Sequence, residues 1–142
     1  MSMKFTLLGT GDAAQVPVYG CDCSVCTRAR ASTEFRCLPC SALLEIDGKK
    51  MLIDSGITDL AERFPAGSLS HILQTHYHAD HVQGLLHLRW GKGDTIPVTG
   101  PQDEHGFADL FKHSGILDFS HTLQHGETWQ WQGIEITALA LN

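Results

Sequence analysis

Three histidines and one aspartate lie within six residues near the middle of the chain. The run from His76 to His81 has the pattern His-x-His-x-Asp-His and follows a short apolar segment, residues 71–75. If that segment continues as a strand, side chains alternate between its two faces, so His76 and His78 point the same way. Tyr77 then points into the packed layer behind. The spacing therefore predicts a pair of imidazoles aimed at one point.

The second half of the run predicts a second pair of ligands. A helix that begins near Ala79 carries Asp80 and His81 in its first turn, beside His76 and His78. Two pairs of ligands predict two ions, and imidazole with carboxylate suits zinc, manganese or iron. The chemistry indicated is the attack of metal-activated water on an ester or amide. A histidine-rich surface loop is the alternative interpretation.

Two shorter motifs end apolar strands in the first half of the chain. Gly9-Thr10-Gly11 follows the apolar segment 5–8; glycines there usually mark a tight turn and sometimes cradle a phosphate. Asp54 follows the apolar segment 51–53 and is itself followed by Ser55 and Gly56. A helix N-cap or turn aspartate is the simple interpretation of Asp54.

The cysteines suggest a separate metal site. Cys21, Cys23 and Cys26 lie within six residues, with Cys37 and Cys40 further on. Structural zinc takes four protein ligands, so the sequence predicts zinc on the first three and a fourth ligand from Cys37, Cys40 or a histidine. Disulfides are the competing explanation. The odd count of five and the lack of an export signal favour a reducing cytosol.

These motifs together resemble those of the metallo-beta-lactamase superfamily. The Cys-x-Cys-x-x-Cys insertion is similar, within that superfamily, to the one in phosphoribosyl 1,2-cyclic phosphate phosphodiesterases, which act in phosphonate breakdown by the carbon-phosphorus lyase pathway. The resemblance runs over essentially the whole chain. It is carried further by residues 16–21, 75–86, 88–91, 96–101, 109–113 and 117–121.

The resemblance implies roles for the motif residues. His76 and His78 would hold one catalytic ion, Asp80 and His81 the other, with manganese or zinc as the ions and Asp80 as the catalytic residue. Asp54 would accept a hydrogen bond from the ring of a ligand histidine and so orient it. The cysteine trio would hold one structural zinc. The reaction implied is the opening of 5-phosphoribosyl 1,2-cyclic phosphate to ribose 1,5-bisphosphate.

The resemblance also implies the fold. We expect an α/β protein of the α+β sandwich type, equivalent to the N-terminal half of an αββα four-layer fold. Residues 1–142 would form a partial domain with a zinc-binding insertion at roughly residues 20–40. The chain stops at Asn142, where the family's third histidine would come next. We therefore expect the isolated chain to lack activity, and to form a homodimer or pair with the missing half because one sheet face would be exposed.

Hydrophobic periodicity predicts alternating strands and short helices. Asp47-Gly48 predicts a hairpin turn between two of the strands. The predicted strands are 4–8, 42–46, 50–53, 71–74, 97–100, 127–131 and 134–139, and the predicted helices are 24–31, 59–63, 80–88 and 102–112.

Composition and net charge limit the classes of molecule that the protein is expected to bind. The chain is 42% hydrophobic and 18% charged, as in ordinary globular proteins, and its formal charge of −6 disfavours a nucleic-acid surface. A small phosphorylated sugar is the expected substrate, and Arg89 and Lys92 are candidate phosphate-binding residues. A solvated surface pair is the equal alternative. No apolar segment approaches a signal peptide or membrane span, so we expect no membrane partner and a cytoplasmic location.

The remaining histidines are expected at the surface or as hydrogen-bonded core residues; they are His71, His87, His105, His113, His121 and His125. Three other functions stay open. They are a tRNA-processing phosphodiesterase, a cofactor-biosynthesis protein of the same superfamily, and a non-catalytic zinc-binding module.

Overall fold

The computed structural model describes residues 2–103 and 107–141. Its strands are β1 (Met3–Gly9), β2 (Ser41–Ile46), β3 (Lys49–Ile53), β4 (His71–Leu73), β5 (Ile96–Gly100), β6 (Leu117–Thr122), β7 (Thr128–Trp131) and β8 (Ile134–Thr137). Its helices are α1 (Ser24–Ala31), α2 (Leu60–Arg63), α3 (Ala79–Val82), α4 (Leu85–Leu88) and α5 (Ala108–Lys112), and a 3-10 turn spans Thr33–Phe35.

Six strands form one mixed sheet in the order β1-β2-β3-β4-β5-β6. The first three strands pair antiparallel, and β3 to β6 pair parallel. Asp47 and Gly48 both have positive φ, 48° and 80°, and join β2 to β3. The predicted hairpin turn is therefore confirmed, because two left-handed residues match the twist of the flanking strands.

The two faces of this sheet support separate apolar cores. Strand residues Leu43, Leu52, Ile72 and Val98 point to one face, where they pack with residues of the helices such as Leu60 and Leu85. The opposite face has a second core under the β7-β8 hairpin, formed by Leu44, Ile46, Met51 and Trp131. The architecture thus has helices, a six-stranded sheet and a two-stranded hairpin in successive layers. This mixed α/β arrangement confirms the predicted fold class.

Strand β6 was not predicted. Residues Leu117–Thr122 alternate in burial and extend the sheet by pairing parallel to β5. The signal was present, since Leu117 and Phe119 alternate with polar residues. A strand with polar residues at every second position is easily taken for a loop when its partner is unknown.

The predicted helix 80–88 is interrupted. It consists of α3 and α4, separated by Gln83 and Gly84. The Gly84 backbone N–H donates to the Ser55 carbonyl at 2.8 Å instead of continuing the helical ladder. A contact with a distant loop therefore splits the helix, and no local pattern encodes it.

The predicted helix 102–112 was too long. Its described part begins at Ala108, while residues 102 and 103 are not helical and residues 104–106 lie outside the described residues. Predicted strand and helix ends elsewhere differ by one or two residues, and α1 has the predicted bounds. Among residues 2–103 and 107–141, no helix is long and apolar enough to cross a membrane.

Candidate functional site

Three imidazole rings meet in the loop that follows β4 and the first turn of α3. The ring centroids of His76 and His78 lie 4.6 Å apart, and those of His76 and His81 lie 4.1 Å apart. The Asp80 carboxylate reaches to 3.4 Å from Nε2 of His81. The structure thus links the four residues of the His-x-His-x-Asp-His motif by successive contacts from His78 through His76 and His81 to Asp80, and their donor types fit divalent transition metals.

The loop is built somewhat differently from the sequence expectation. Strand β4 ends at Leu73, so His76 and His78 lie in the loop rather than on a strand. The conformation nevertheless remains extended at His78, with φ −64° and ψ 149°. Alternation of side chains therefore persists, because it depends on extended backbone rather than on strand pairing.

Tyr77 points away from the imidazoles, as predicted. Its side chain is buried, and its ring packs against Phe111 at 5.1 Å and Phe119 at 6.4 Å between centroids. Burial raises the pKa of the Tyr77 hydroxyl to about 12. The ring therefore anchors the segment between His76 and His78 to the core on the helical side.

Asp54 is the main hydrogen-bond acceptor beneath the site. It is 3% exposed and has φ 56°, in the left-handed region. Oδ1 accepts from the Thr75 backbone N–H at 2.8 Å, and Oδ2 accepts from the Thr75 hydroxyl at 2.7 Å. Oδ2 also lies 2.8 Å from Nδ1 of His81. With the proton on Nδ1, Asp54 holds the ring and leaves Nε2 free as a ligand atom.

Gln74 is a buried residue that the sequence analysis did not single out. It is 1% exposed, and its Nε2 donates to the His81 carbonyl at 2.9 Å and more weakly to the His76 carbonyl at 3.4 Å. Its Oε1 accepts from the Ser55 hydroxyl at 2.7 Å. The Gln74 amide therefore connects both ends of the His-x-His-x-Asp-His motif, called the metal motif below, to the loop after β3. A polar residue at the end of a buried strand was the available signal.

The electrostatic environment favours neutral imidazole at His76. Burial, followed by the neighbouring His81 ring, lowers the pKa of His76 below its ordinary value. Metals bind the neutral form of histidine, so this shift suits a ligand.

Cys40 lies at this site, not with the other cysteines. Its sulfur, a carboxylate oxygen of Asp54 and a ring nitrogen of His81 all lie within 4.8 Å of one another. Burial and the charges of Asp54 and Asp80 raise the pKa of the Cys40 thiol. From the sequence, Cys40 was expected only as a possible fourth ligand of the structural zinc, and its position beside Asp54 and His81 contradicts that option.

The cysteine trio is preassembled at the start of α1. Ligand atoms of Cys21, Cys23 and Cys26 lie within 4.8 Å of one another, and within the described residues this cluster includes neither Cys37 nor Cys40. Cys23 is the N-cap of α1, and its sulfur accepts from the Cys26 N–H at 3.4 Å. This hydrogen bond, with further ones from the thiols of Cys21 and Cys26, lowers the pKa of Cys23 to about 7. The thiolate is the form of cysteine that binds zinc.

Arg89 is engaged in packing rather than directed at the site. Its guanidinium lies 2.9 Å from the Asp109 carboxylate and also donates to the carbonyls of Leu86 and Asp109. These contacts connect α4 to α5. The geometry favours a structural role for Arg89 over phosphate binding, while Lys92 is exposed in the following loop.

The other described histidines occupy surface or hydrogen-bonded positions. His71 is buried, and its Nε2 contacts the Thr99 hydroxyl at 2.7 Å, which in turn contacts Nδ1 of His121 at 2.8 Å. Trp129 of the hairpin covers both rings. His87, His113 and His125 are exposed, and His105 lies outside the described residues.

A cavity of about 290 Å³ opens between the loops after β1 and β3. Its polar lining includes Gln15, Thr58 and Gln83, and Gln83 donates to the Gly56 carbonyl. Gly56 also lines it and packs closely on the Asp80 carbonyl, so the cavity adjoins the segment with the metal motif. Its lining also includes the acidic residue Asp59.

Known proteins are similar to this chain in sequence and in architecture. Ribonuclease Z of Haloferax volcanii is 31% identical over 123 residues, covering 81% of this chain and 33% of the relative. Coenzyme PQQ synthesis protein B of Methylorubrum extorquens is 30% identical over 112 residues, covering 68% of this chain and 37% of the relative. A crystal structure of a diphosphatase from the PhnP family matches with a TM-score of 0.74 and 28% identity, covering 95% of this chain and 55% of that chain.

This chain therefore spans between about a third and just over half of the length of these relatives. A family model described as the metallo-beta-lactamase superfamily matches residues 36–137, from before β2 to the end of β8. The matched region includes every residue of the His-x-His-x-Asp-His motif together with Asp54. The chain belongs to the metallo-beta-lactamase superfamily.

Proposed function

We propose that the protein is a metal-dependent phosphodiesterase that opens the cyclic phosphate of a small phosphorylated sugar. The substrate we propose is 5-phosphoribosyl 1,2-cyclic phosphate, which gives ribose 1,5-bisphosphate in phosphonate breakdown. The observation that carries the proposal is the approach of the His76 ring to the rings of His78 and His81, at 4.6 and 4.1 Å between centroids, with Asp80 beside His81. The diphosphatase of the PhnP family supports it as a structural relative.

The motif residues would hold two divalent ions, manganese or zinc. His76 and His78 would bind one ion and Asp80 and His81 the other, while the cysteine trio would bind one structural zinc. Bound ions supply an activated water and neutralise the charge that develops on the phosphoryl oxygens. Asp54 keeps the His81 ring oriented, and Tyr77 fixes the loop. In the net reaction the oxygen of water forms a new P–O bond, the ring bond between phosphorus and the sugar 2-oxygen breaks, and that oxygen takes a proton of the attacking water.

Charge and cavity size support a small substrate. The formal charge of −6 opposes the long phosphate backbone of a tRNA, whereas the paired ions would bind one compact anion. The cavity beside Gly56 is lined by hydroxyl, amide and carboxylate groups of Thr58, Gln15 and Asp59, which suit the hydroxyls of a sugar. We propose a cytoplasmic location, which matches the odd cysteine count.

A second candidate is processing of tRNA precursors. The similarity to ribonuclease Z at 31% identity favours it. Both reactions use metal-activated water on a phosphodiester, so the motif alone does not separate them. Net charge is the feature that ranks the small substrate first.

One experiment compares the two substrates directly. The gene product as isolated from its source is incubated with the cyclic phosphate, followed by phosphorus NMR, and with a tRNA precursor, followed by gel electrophoresis. We expect ring opening only, and Asp80→Ala should abolish it while Asp94→Ala in an exposed loop should not. Cleavage of the precursor without ring opening would support the second candidate. Near-normal ring opening by Asp80→Ala would remove that residue from the mechanism.

The sheet face beside the hairpin suggests how the protein assembles. Met3, Phe5 and Leu7 of β1 are 62%, 57% and 63% exposed, and they pair with Ile46, Leu44 and Ala42 on the face of the hairpin core. We propose that a second copy or the other half of the superfamily fold covers this apolar strip. Sedimentation of the 142-residue chain should show self-association that Phe5→Glu weakens; a monomer at all concentrations would contradict pairing of two copies.

A further inference from the structure

Cys40 has no role in the proposed reaction. It is the residue directly before β2, and its side chain lies next to those of Asp54 and His81. Backbone hydrogen bonds hold these segments together, since the Gly56 N–H donates to the Cys40 carbonyl at 3.0 Å and the Ser55 N–H donates to the His81 carbonyl at 2.7 Å. The thiol is thus fixed near the metal motif by the main chain.

The three side chains form a mixed donor set. A thiolate, a carboxylate and an imidazole are all common zinc ligands, and the separation of at most 4.8 Å is close to what one ion requires. Ligands bound at ~2.0–2.3 Å in tetrahedral geometry lie roughly 3.5 Å apart, so the 2.8 Å contact between Asp54 Oδ2 and His81 Nδ1 must open, whereas a sulfur at the 4.8 Å limit must close by about 1 Å. These adjustments fall to the Cys40 and His81 side chains, because Thr75 holds the Asp54 carboxylate through two hydrogen bonds. The sulfur distinguishes this set from the histidine and carboxylate ligands of the motif, because thiolates favour softer ions.

We propose that Cys40, Asp54 and His81 form a separate site for a soft divalent ion such as Zn²⁺ or Cd²⁺. Binding breaks the S–H bond of Cys40 and releases its proton to solvent, so the sulfur acts as a thiolate. The Nδ1 atom of His81 faces Asp54 Oδ2 at 2.8 Å, and an ion bound by both residues would replace this hydrogen bond and take the Nδ1 lone pair. The site goes beyond the proposed function and exists whether or not the catalytic ions bind as we propose.

Occupation of this site competes with the proposed catalytic centre. A neutral imidazole has one unprotonated nitrogen, so His81 binds through Nδ1 or through Nε2, but not as a neutral ligand through both. An ion on Nδ1 leaves the proton on Nε2, which then faces Asp80 at 3.4 Å as a donor. This consequence rests on the proposed function: a soft ion at Cys40 would displace His81 from the second catalytic ion and inhibit the enzyme.

Cadmium NMR on the reduced 142-residue chain tests the site, because the cadmium shift depends strongly on the number of sulfur ligands. We expect one resonance from the three-cysteine cluster and another from a site with one sulfur. Cys40→Ser should remove the one-sulfur resonance and keep the other. Cys37→Ser is the matched control, since Cys37 is a half-buried cysteine of the same loop outside both clusters, and it should change neither. A Cys40→Ser spectrum identical to the parent spectrum would overturn the proposal.

Two further variants separate this site from the proposed catalytic centre. His81→Ala should remove the one-sulfur resonance, whereas His76→Ala should retain it. Loss of that resonance in His76→Ala would show that Cys40 binds one of the proposed catalytic ions. That result would overturn the proposal of a separate site. If His76→Ala left every cadmium signal unchanged, the proposed pair of catalytic ions would be wrong, but the proposal of an ion bound by Cys40 would still hold.

A measurement on the unaltered chain avoids dependence on the folding of variants. Cadmium should protect Cys40 from alkylation by several-fold and leave the alkylation of Cys37 unchanged, as read by peptide mass mapping. Equal alkylation of Cys40 with and without cadmium would contradict the proposal.

Discussion

Asp54 and His81 are separated by 27 residues of sequence and joined by a 2.8 Å contact between Oδ2 and Nδ1. The carboxylate is 3% exposed and also accepts two hydrogen bonds from Thr75. One buried acid therefore determines the orientation of a motif histidine and of the loop leading to it. Removal of its charge should affect metal binding before it affects the fold.

Asp54→Asn should weaken binding of the ion that His81 holds by about 10–100-fold, as for other acids that orient metal-binding histidines. The amide is nearly the same size, but it lacks the charge that stabilises the Nδ1–H tautomer of His81. Competition with a chromophoric chelator measures the affinity. Asp94→Asn, in an exposed loop, is the matched control and should bind as the parent does. Equal affinities in both variants would argue against an orienting role.

Tyr77→Ala should lower the free energy of unfolding by about 3–5 kcal/mol, the usual range for removing a buried aromatic ring. The reason is the loss of contacts with Phe111 and Phe119. Metal affinity should fall as well, since the segment between His76 and His78 loses its anchor. Tyr19→Ala removes the same ring from a position that is 102% exposed. Urea denaturation should therefore show a change within about 0.5 kcal/mol for that control.

Gly84→Ala should destabilise the junction between α3 and α4. A Cβ there would lie 2.8 Å from the Ser55 carbonyl oxygen and even closer to that of Ile57. We expect a loss of about 1–3 kcal/mol from overpacking, together with weaker metal binding because the loop after β3 must move. Gly67→Ala provides the comparison, since nothing lies within 4 Å there and the cost comes from its φ of 82° alone. A smaller loss at Gly84 than at Gly67 in thermal unfolding would contradict the close approach.

Stability should fall on acidification because of His71. Burial, then the neighbouring His121, lowers the pKa of His71 from 6.5 to about 4. Between these values the unfolded chain binds more protons than the folded chain, so the contribution is complete above about pH 6.5 and declines toward pH 4. The decline amounts to about 2–3 kcal/mol for this shift.

His71→Gln should flatten that dependence, as measured by urea denaturation at about pH 7.5 and about pH 4.5. The exposed His87→Gln variant serves as the control and should retain the parental difference between the two values. An unchanged slope in His71→Gln would assign the acid sensitivity to other groups.

Local sequence patterns predicted correctly those elements whose conformation depends on residues close in sequence. The β2-β3 hairpin followed from Asp47-Gly48, because two residues with positive φ are required there. The bounds of α1 and the inward direction of Tyr77 also followed from local preference and alternation. Strand β6 could have been predicted, because apolar and polar residues alternate along it. Its polar residues instead made the segment resemble a loop.

Residue types and spacing specify the metal-ligating groups within each segment: three histidines and an aspartate in one run, three cysteines in another. Which segments meet depends on the folded arrangement of the chain. It placed Cys40 beside Asp54 and His81, directed Arg89 to Asp109, and split the predicted helix at Gly84. These contacts depend on strand order and register across the sheet, which bring together residues that no local conformational preference links.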